Sequence, residues 1–208
     1  MNTAQQRAKA ELFRRLHQGP DLLVLCNTSD VASSRIVAEA GYPAVATSSA
    51  GIAWILGYPD GEKIGRAEML DMVRRIADGV SVPVTADMEA GYGTRPEDVA
   101  ETVRLTIEAG AVGINIEDAV KTQSALLDFK LAVDRVKAAR QAADATGVPM
   151  VVNARTDGFL RGGKGPECFK EAVRRANAFR DAGADSLFVP GVRDAETIAA
   201  LCKEIDGP

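Results

Sequence analysis

Several features that would place this chain in a familiar functional class are absent. Its three cysteines (Cys26, Cys168 and Cys202) are scattered, odd in number and at no metal-ligand spacing. That excludes a disulfide framework or thiolate zinc site and leads us to expect a reduced, cytoplasmic setting. Basic charge is in no excess: 25 Lys and Arg stand against 29 acids, for a net charge of −4. Neither nucleic acid nor an anionic membrane is therefore an expected partner. No apolar run approaches the length of a membrane span, and the opening "MNTAQQRAKAELFRRL" lacks the apolar segment of a signal peptide. It reads instead as an amphipathic first helix. The first strand–helix junction, "CNTSDVASSR", carries neither a G-x-G-x-x-G nor a Walker signature, so a nucleotide site has no sequence support.

What is present is a repeat. Three segments share one pattern: "EAGYPAVATSS" (39–49), "EAGAVGINIED" (108–118) and "DAGADSLFVPG" (181–191). Each shows a helical lead-in, then Ala-Gly, then an apolar run, and Gly41, Gly110 and Gly183 suit the left-handed position just past a helix end. Segments of a second kind alternate with them: "SVPVTADME", "TGVPMVVNARTD" and, less closely, "GPDLLVLCN", with a proline at the strand entrance. The pattern predicts strands near 22–27, 44–49, 82–88, 113–118, 150–155 and 186–190, separated by amphipathic helices. One of these, "TRPEDVAETVRLTIEAG", opens on a predicted Thr94-x-x-Glu97 capping box and carries Val99, Val103 and Ile107 at helical spacing.

Alternating strands and helices imply parallel pairing with right-handed crossovers. With 208 residues and 46 % hydrophobic content, a single domain over residues 1–208 is expected. An open doubly wound sheet and a closed (β/α)8 TIM-type barrel both fit the alternation, and the repeat favours the barrel. Six strand units are visible. Gly207-Pro208 resembles Gly19-Pro20, the entrance to strand one, so the expectation is a barrel whose strands seven and eight lie beyond this sequence.

Barrels of this type build their sites at the C-terminal ends of the strands. The stretch "VPVTADMEAGYG" (82–93) ends an apolar run in Asp87 and Glu89. Side chains at i and i+2 of a strand share a face, and converging carboxylates repel unless a proton or cation lies between them. Strand two ends in Thr47, Ser48 and Ser49, strand four in Glu117 and Asp118, and strand five in Asn153, Arg155 and Asp157. The loop after strand two adds Asp60 and Glu62 in "LGYPDGE". Acids from three strand ends and one loop, one arginine and a turn rich in N–H donors are thus expected on one rim.

These pieces, "TSSAG…LGYPDG", "ADMEAGYG", "INIED" and "NARTD" in that order, resemble the isocitrate lyase and phosphoenolpyruvate mutase superfamily over nearly the whole chain. The resemblance implies a Mg²⁺ site (with Mn²⁺ as the alternative ion) in which Asp87 is the principal ligand and Asp60, Glu89 and Glu117 hold metal-bound waters. It implies that Thr47, Ser48 and Ser49 cradle a substrate carboxylate, that Arg155 neutralises it, and that Arg155, Glu117 and Asp60 form the catalytic set. The implied activity is a carbon–carbon lyase acting on a small 2-oxo- or 2-hydroxy-carboxylate through a stabilised enolate. A homo-oligomer, tetramer or dimer, is also implied. Mg²⁺ suits such a site, because it keeps several waters and needs only one or two direct carboxylates.

Departures from the family pattern narrow the activity. Lyases of the family carry a Lys-Lys/Arg-Cys-Gly-His motif after strand four; this loop reads "EDAVKTQSALLDFK", without cysteine or histidine. Glu89 replaces the usual second aspartate of an Asp-x-Asp motif. An oxaloacetate-type decarboxylase, a phosphonopyruvate hydrolase or a phosphoenolpyruvate phosphonomutase are alternatives on the same scaffold, and a non-catalytic carboxylate-binding protein is a third class. Cys168, near the start of a helix, is a candidate stand-in acid. His17 precedes strand one at the opposite rim and reads as structural.

Overall fold

Six strands form one parallel sheet in consecutive order, β1 (Cys26–Thr28), β2 (Val45–Thr47), β3 (Val84–Asp87), β4 (Gly113–Glu117), β5 (Val151–Arg155) and β6 (Ser186–Phe188). The computed structural model describes residues 3–119 and 125–208. Helices α1 (Thr3–Leu16), α2 (Val31–Glu39), α3 (Ser49–Ile55), α4 (Arg66–Gly79), α5 (Pro96–Glu108), α6 (Phe129–Ala145), α7 (Gly165–Asp181) and α8 (Ala195–Glu204) complete the alternation. Consecutive parallel order is the barrel's, since a doubly wound sheet reverses order at a switch point. Leu25 and Asn27 on the β1 side and Phe188 on β6 line one cavity, so the sheet curls toward closure. The described residues thus hold six successive β/α units of the (β/α)8 type, with no seventh or eighth strand among them. Among the described residues no helix is long and apolar enough to cross a membrane.

All six strands overlap the positions the repeat predicts, but β1, β2 and β6 are shorter, at three residues each. Residues 22–25 precede the paired part of β1, and β6 stops at Phe188. For β1 and β6 a partner on one side only leaves fewer ladder bonds to define the length; β2, paired on both sides, is equally short. Leu22 is 88 % exposed and Val24 54 % exposed along that edge. The carbonyl of Pro208 accepts from the Leu187 N–H (2.8 Å), which sets the last residue beside β6.

The core between sheet and helices is aliphatic, with Val45, Val84, Ile114 and Val152 from the strands against Val73, Ile76, Val99 and Val103 from the helices. Gly41, Gly110 and Gly183 adopt φ of 93°, 96° and 106°, as helix termination by a left-handed residue requires. The Thr94–Glu97 capping box does not form. Pro96 fixes the first turn one residue later, so Arg95 is the N-cap and its N–H donates to Asp98 Oδ2 (3.0 Å). His17 packs edge-on against Phe13 and bonds its carbonyl through Nδ1 (2.8 Å), a structural placement.

Candidate active site

Parallel strands deliver their C-terminal residues to one rim, and Asp87 closes β3 there. Every polar contact around it fixes its carboxylate. Ser49 donates both its hydroxyl (2.7 Å) and its N–H (3.3 Å) to Oδ2. Asn115 Nδ2 (3.1 Å) and the Glu89 N–H (3.3 Å) donate to Oδ1. The Asp87 N–H in turn donates to Thr47 Oγ1 (2.9 Å). Asn153 Nδ2 continues the chain to Asn115 Oδ1 (3.2 Å). The carboxylate can only accept, so Asn115 must present its amide N to Asp87 and its oxygen to Asn153. The two amide orientations therefore follow from Asp87, and Asn153 Oδ1 is left buried without a partner.

Asp87, Thr47, Asn115, Asn153 and Arg155 line one cavity of about 500 Å³, together with Asn27 and Thr85. Arg155, at the end of β5, is braced on two sides. Its Nη2 meets Glu117 Oε2 (2.9 Å), while Nε and Nη2 meet the two oxygens of Asp157 (2.5 and 3.1 Å). Burial alone would lower the Arg155 pKa, but the Glu117 and Asp157 carboxylates hold it above its ordinary value. Its guanidinium lies 5.7 Å from the centre of the Phe188 ring.

The turn after β2 is committed differently from a simple cradle. Ser48 caps α3, its Oγ accepting from the Gly51 N–H (3.1 Å), and the Ser49 hydroxyl and N–H serve Asp87. Thr47 and Ser49 are thus tied to the metal-ligand candidate itself. Asp60 stands exposed in the α3–α4 loop, its Oδ1 accepting from the Gly61 N–H (2.9 Å). Glu89 is buried and faces that loop, taking the Glu62 N–H on both oxygens (3.0 and 2.8 Å).

A hydrated cation fits this donor set. Among the described residues no three His, Cys, Asp or Glu side chains converge to chelate an ion directly. Mg²⁺ takes one or two direct carboxylates and keeps water in its other positions, so a site for it does not require such a cluster. The available atoms are hard oxygens, and two buried polar atoms beside them lack a partner, Asn153 Oδ1 and the Tyr92 hydroxyl. Burial first, then the charges of Glu89, Glu62, Asp87 and Asp60, push the Tyr92 phenol above its ordinary pKa. Their negative charge falls on this side of the rim, a field that attracts cations.

Asp118 is turned away from this work. Its Oδ1 accepts from the Asp157 N–H (2.9 Å), and Oδ2 from the Thr156 hydroxyl (2.8 Å) and Arg175 Nη1 (3.1 Å). Arg175 also donates to Glu171 and to the Leu127 carbonyl. Burial pushes the Asp118 carboxyl up, and these donors oppose the shift. The network ties the ends of β4 and β5 to α7 and so supports Asp157 behind Arg155. Arg175→Met should cost about 3–5 kcal/mol, because it leaves Asp118 buried beside a missing cation. Urea unfolding followed by circular dichroism checks this; a loss of about 1 kcal/mol or less, as at a surface pair, would contradict it.

Sequence reasoning passed over Asn115, Arg135 and Arg175. Asn115 had a signal, a polar residue inside the apolar run "GINIE" two positions before Glu117. Arg135, 1 % exposed on α6, donates to the carbonyls of Ala90, Gly93 (2.6 Å) and Thr94 (2.9 Å) and pins the loop after β3. Nothing in an amphipathic pattern distinguishes it from a solvated arginine. Cys168 is not among the residues lining the cavity, and burial pushes its thiol pKa up, against an acid role. Of the loop after β4, Lys121 to Ser124 lie outside the described residues, while Asp128 caps α6.

A curled parallel sheet whose strand ends bring together one metal-ligand candidate, its oxygen neighbours and a braced arginine defines the candidate site of a (β/α) barrel. The chain belongs to the phosphoenolpyruvate mutase family: the family model for phosphoenolpyruvate phosphomutase matches residues 13–208. It is 33 % identical over 190 residues to the 2-methylisocitrate lyase of Escherichia coli K12, covering 88 % of this chain. The chain spans 62 % of that relative's length. Among solved structures, a candidate phosphonomutase from Burkholderia cenocepacia J2315 superposes with a TM-score of 0.92 at 45 % identity, over 96 % of this chain and 82 % of that one. A phosphonopyruvate hydrolase in complex with oxalate and Mg²⁺ superposes with a TM-score of 0.86 at 26 % identity, over 96 % and 69 %.

Proposed function

We propose that the protein is a Mg²⁺-dependent enzyme that cleaves a small 2-oxo- or 2-hydroxy-carboxylate to an enolate and hence a pyruvate-like product. One observation carries the reading: Asp87 and Arg155, of opposite charge, line one cavity at the strand ends, each held by its own neighbours. Asp87 would be the direct ligand, with Asp60, Glu89 and Glu117 reaching the ion through water. When bound, Mg²⁺ supplies positive charge where an oxyanion develops. Arg155 orients and neutralises the substrate carboxylate, and the Asp157 brace fixes which edge of its guanidinium faces outward. Glu117 balances Arg155, so the pocket carries little net attraction for anions until the cation is present. Thr47 and Ser49 keep the Asp87 carboxylate in one orientation, and the Ser48 segment borders the place a substrate carboxylate would take. Cleavage of a carbon–phosphorus bond is the second reading, favoured by the phosphomutase family model.

The test is release of pyruvate from oxaloacetate, substituted malates and phosphonopyruvate, with and without EDTA. Metal-dependent pyruvate from a member of this panel is the expected result. Binding of oxalate and Mg²⁺ without turnover of any of them would point to a carboxylate-binding protein instead.

A further inference from the structure

Among the described residues, Glu62, Glu89 and Tyr92 are the non-glycine residues with positive φ, at 56°, 51° and 57°. A side chain in that region is disfavoured and persists only where surrounding contacts determine it. Here the three are bonded to one another. The Glu62 N–H donates to both carboxylate oxygens of Glu89 (3.0 and 2.8 Å), and the Tyr92 N–H donates to Glu62 Oε1 (2.9 Å). Each of two loops, α3–α4 and β3–α5, thus gives one backbone N–H to a carboxylate on the other. Glu89 is 3 % exposed, so its carboxylate is matched inside the protein.

We propose that Glu62 and Glu89 form a reciprocal clamp that positions the Asp60 turn against the Asp87 rim, and that side-chain length at Glu89 is what the clamp requires. Asp60 lies two residues before Glu62, and among the described residues its side chain is anchored only within its own turn. An aspartate at position 89 would fall about 1.5 Å short of the Glu62 N–H, one carbon–carbon bond. A glutamine keeps the length and one accepting oxygen. The one-methylene shortening is therefore the damaging change in this chain, and the neutral isostere is the mild one. In the clamp Glu62 acts as a positioning residue, and Glu89 adds that role to its water-mediated contact with the ion; the link to Asp60 rests on the metal-site reading above, whereas the clamp itself does not.

The experiment is amide hydrogen exchange on the metal-free protein, read on peptides covering 57–65 and 88–95, with Mg²⁺ affinity measured by calorimetry. Glu89→Asp should raise exchange in both peptides about tenfold, the scale of one lost hydrogen bond, with core peptides of β4 unchanged. It should weaken Mg²⁺ binding as well. Glu89→Gln should stay within about twofold of the parent in exchange. Glu62→Gly keeps the N–H at its positive φ but removes the carboxylate, so exchange should rise in 88–95 and hold in 57–65. Parent-like protection in Glu89→Asp, or equal loss in Glu89→Gln, would overturn the clamp. If the parent protein binds no Mg²⁺, the metal reading fails, and the exchange pattern still decides the clamp.

Discussion

Asp87→Asn is expected to weaken Mg²⁺ binding by more than about 100-fold while leaving the barrel folded. Outer partners of a metal ligand typically account for about 10- to 100-fold in affinity, and the direct ligand should exceed them. The structure sharpens the expectation. Asp87 Oδ1 and Oδ2 both receive donors, Asn115 and the Glu89 N–H on one side and Ser49 on the other. An asparagine must turn its NH₂ toward one of those donors, so the substitution removes charge and also creates a donor–donor contact. Asn115→Leu removes only one outer partner and should fall within the 10- to 100-fold range. Calorimetry with Mg²⁺ and circular dichroism on both variants check the order. Unchanged affinity in Asp87→Asn would remove it from the site.

The part of this arrangement legible in the sequence is the part written in local pattern. Strand positions follow from the Ala-Gly and Val-Pro punctuation, and Asp87, Glu117 and Arg155 follow from strand ends. Contacts made across long separations leave no such trace. Glu62 and Glu89 are 27 residues apart, and their pairing depends on backbone conformations that glycine would have advertised and glutamate conceals. Arg175 reaches Asp118 across 57 residues, and its helix reads as an ordinary charged one. The seryl turn shows the same limit from the other side. Its hydroxyls were visible as donors, yet whether they serve a ligand or Asp87 depends on where β3 ends relative to β2. The registers of β1 on β2 and of β2 on β3 set that, placing Thr47 opposite Thr28 and Ala46 opposite Thr85.

The general acid decides which bond this site can break efficiently, and isocitrate or methylisocitrate cleavage is expected to be poor. Retro-aldol cleavage of those substrates leaves a carbanion on the departing dicarboxylate, which needs a proton from a positioned acid. Such an acid is typically worth about two to four orders of magnitude in rate. The loop after β4 offers Lys121, Thr122, Gln123, Ser124 and Asp128, and no thiol. A lysine protonated at neutral pH is a weak acid for this step unless burial lowers its pKa. Cys168, the thiol nearest in the chain to the β5 end, has its pKa raised by burial and does not line the cavity with Asp87. Decarboxylation escapes the demand, because CO₂ departs without a proton and the enolate left behind can take one from solvent. Oxaloacetate turnover should therefore exceed isocitrate turnover by about two orders of magnitude or more, the lower bound of a missing acid. Side-by-side assays at saturating Mg²⁺ measure the ratio. Isocitrate cleavage at the rate of a relative with the loop cysteine would refute the expectation and require a proton donor from another part of the rim.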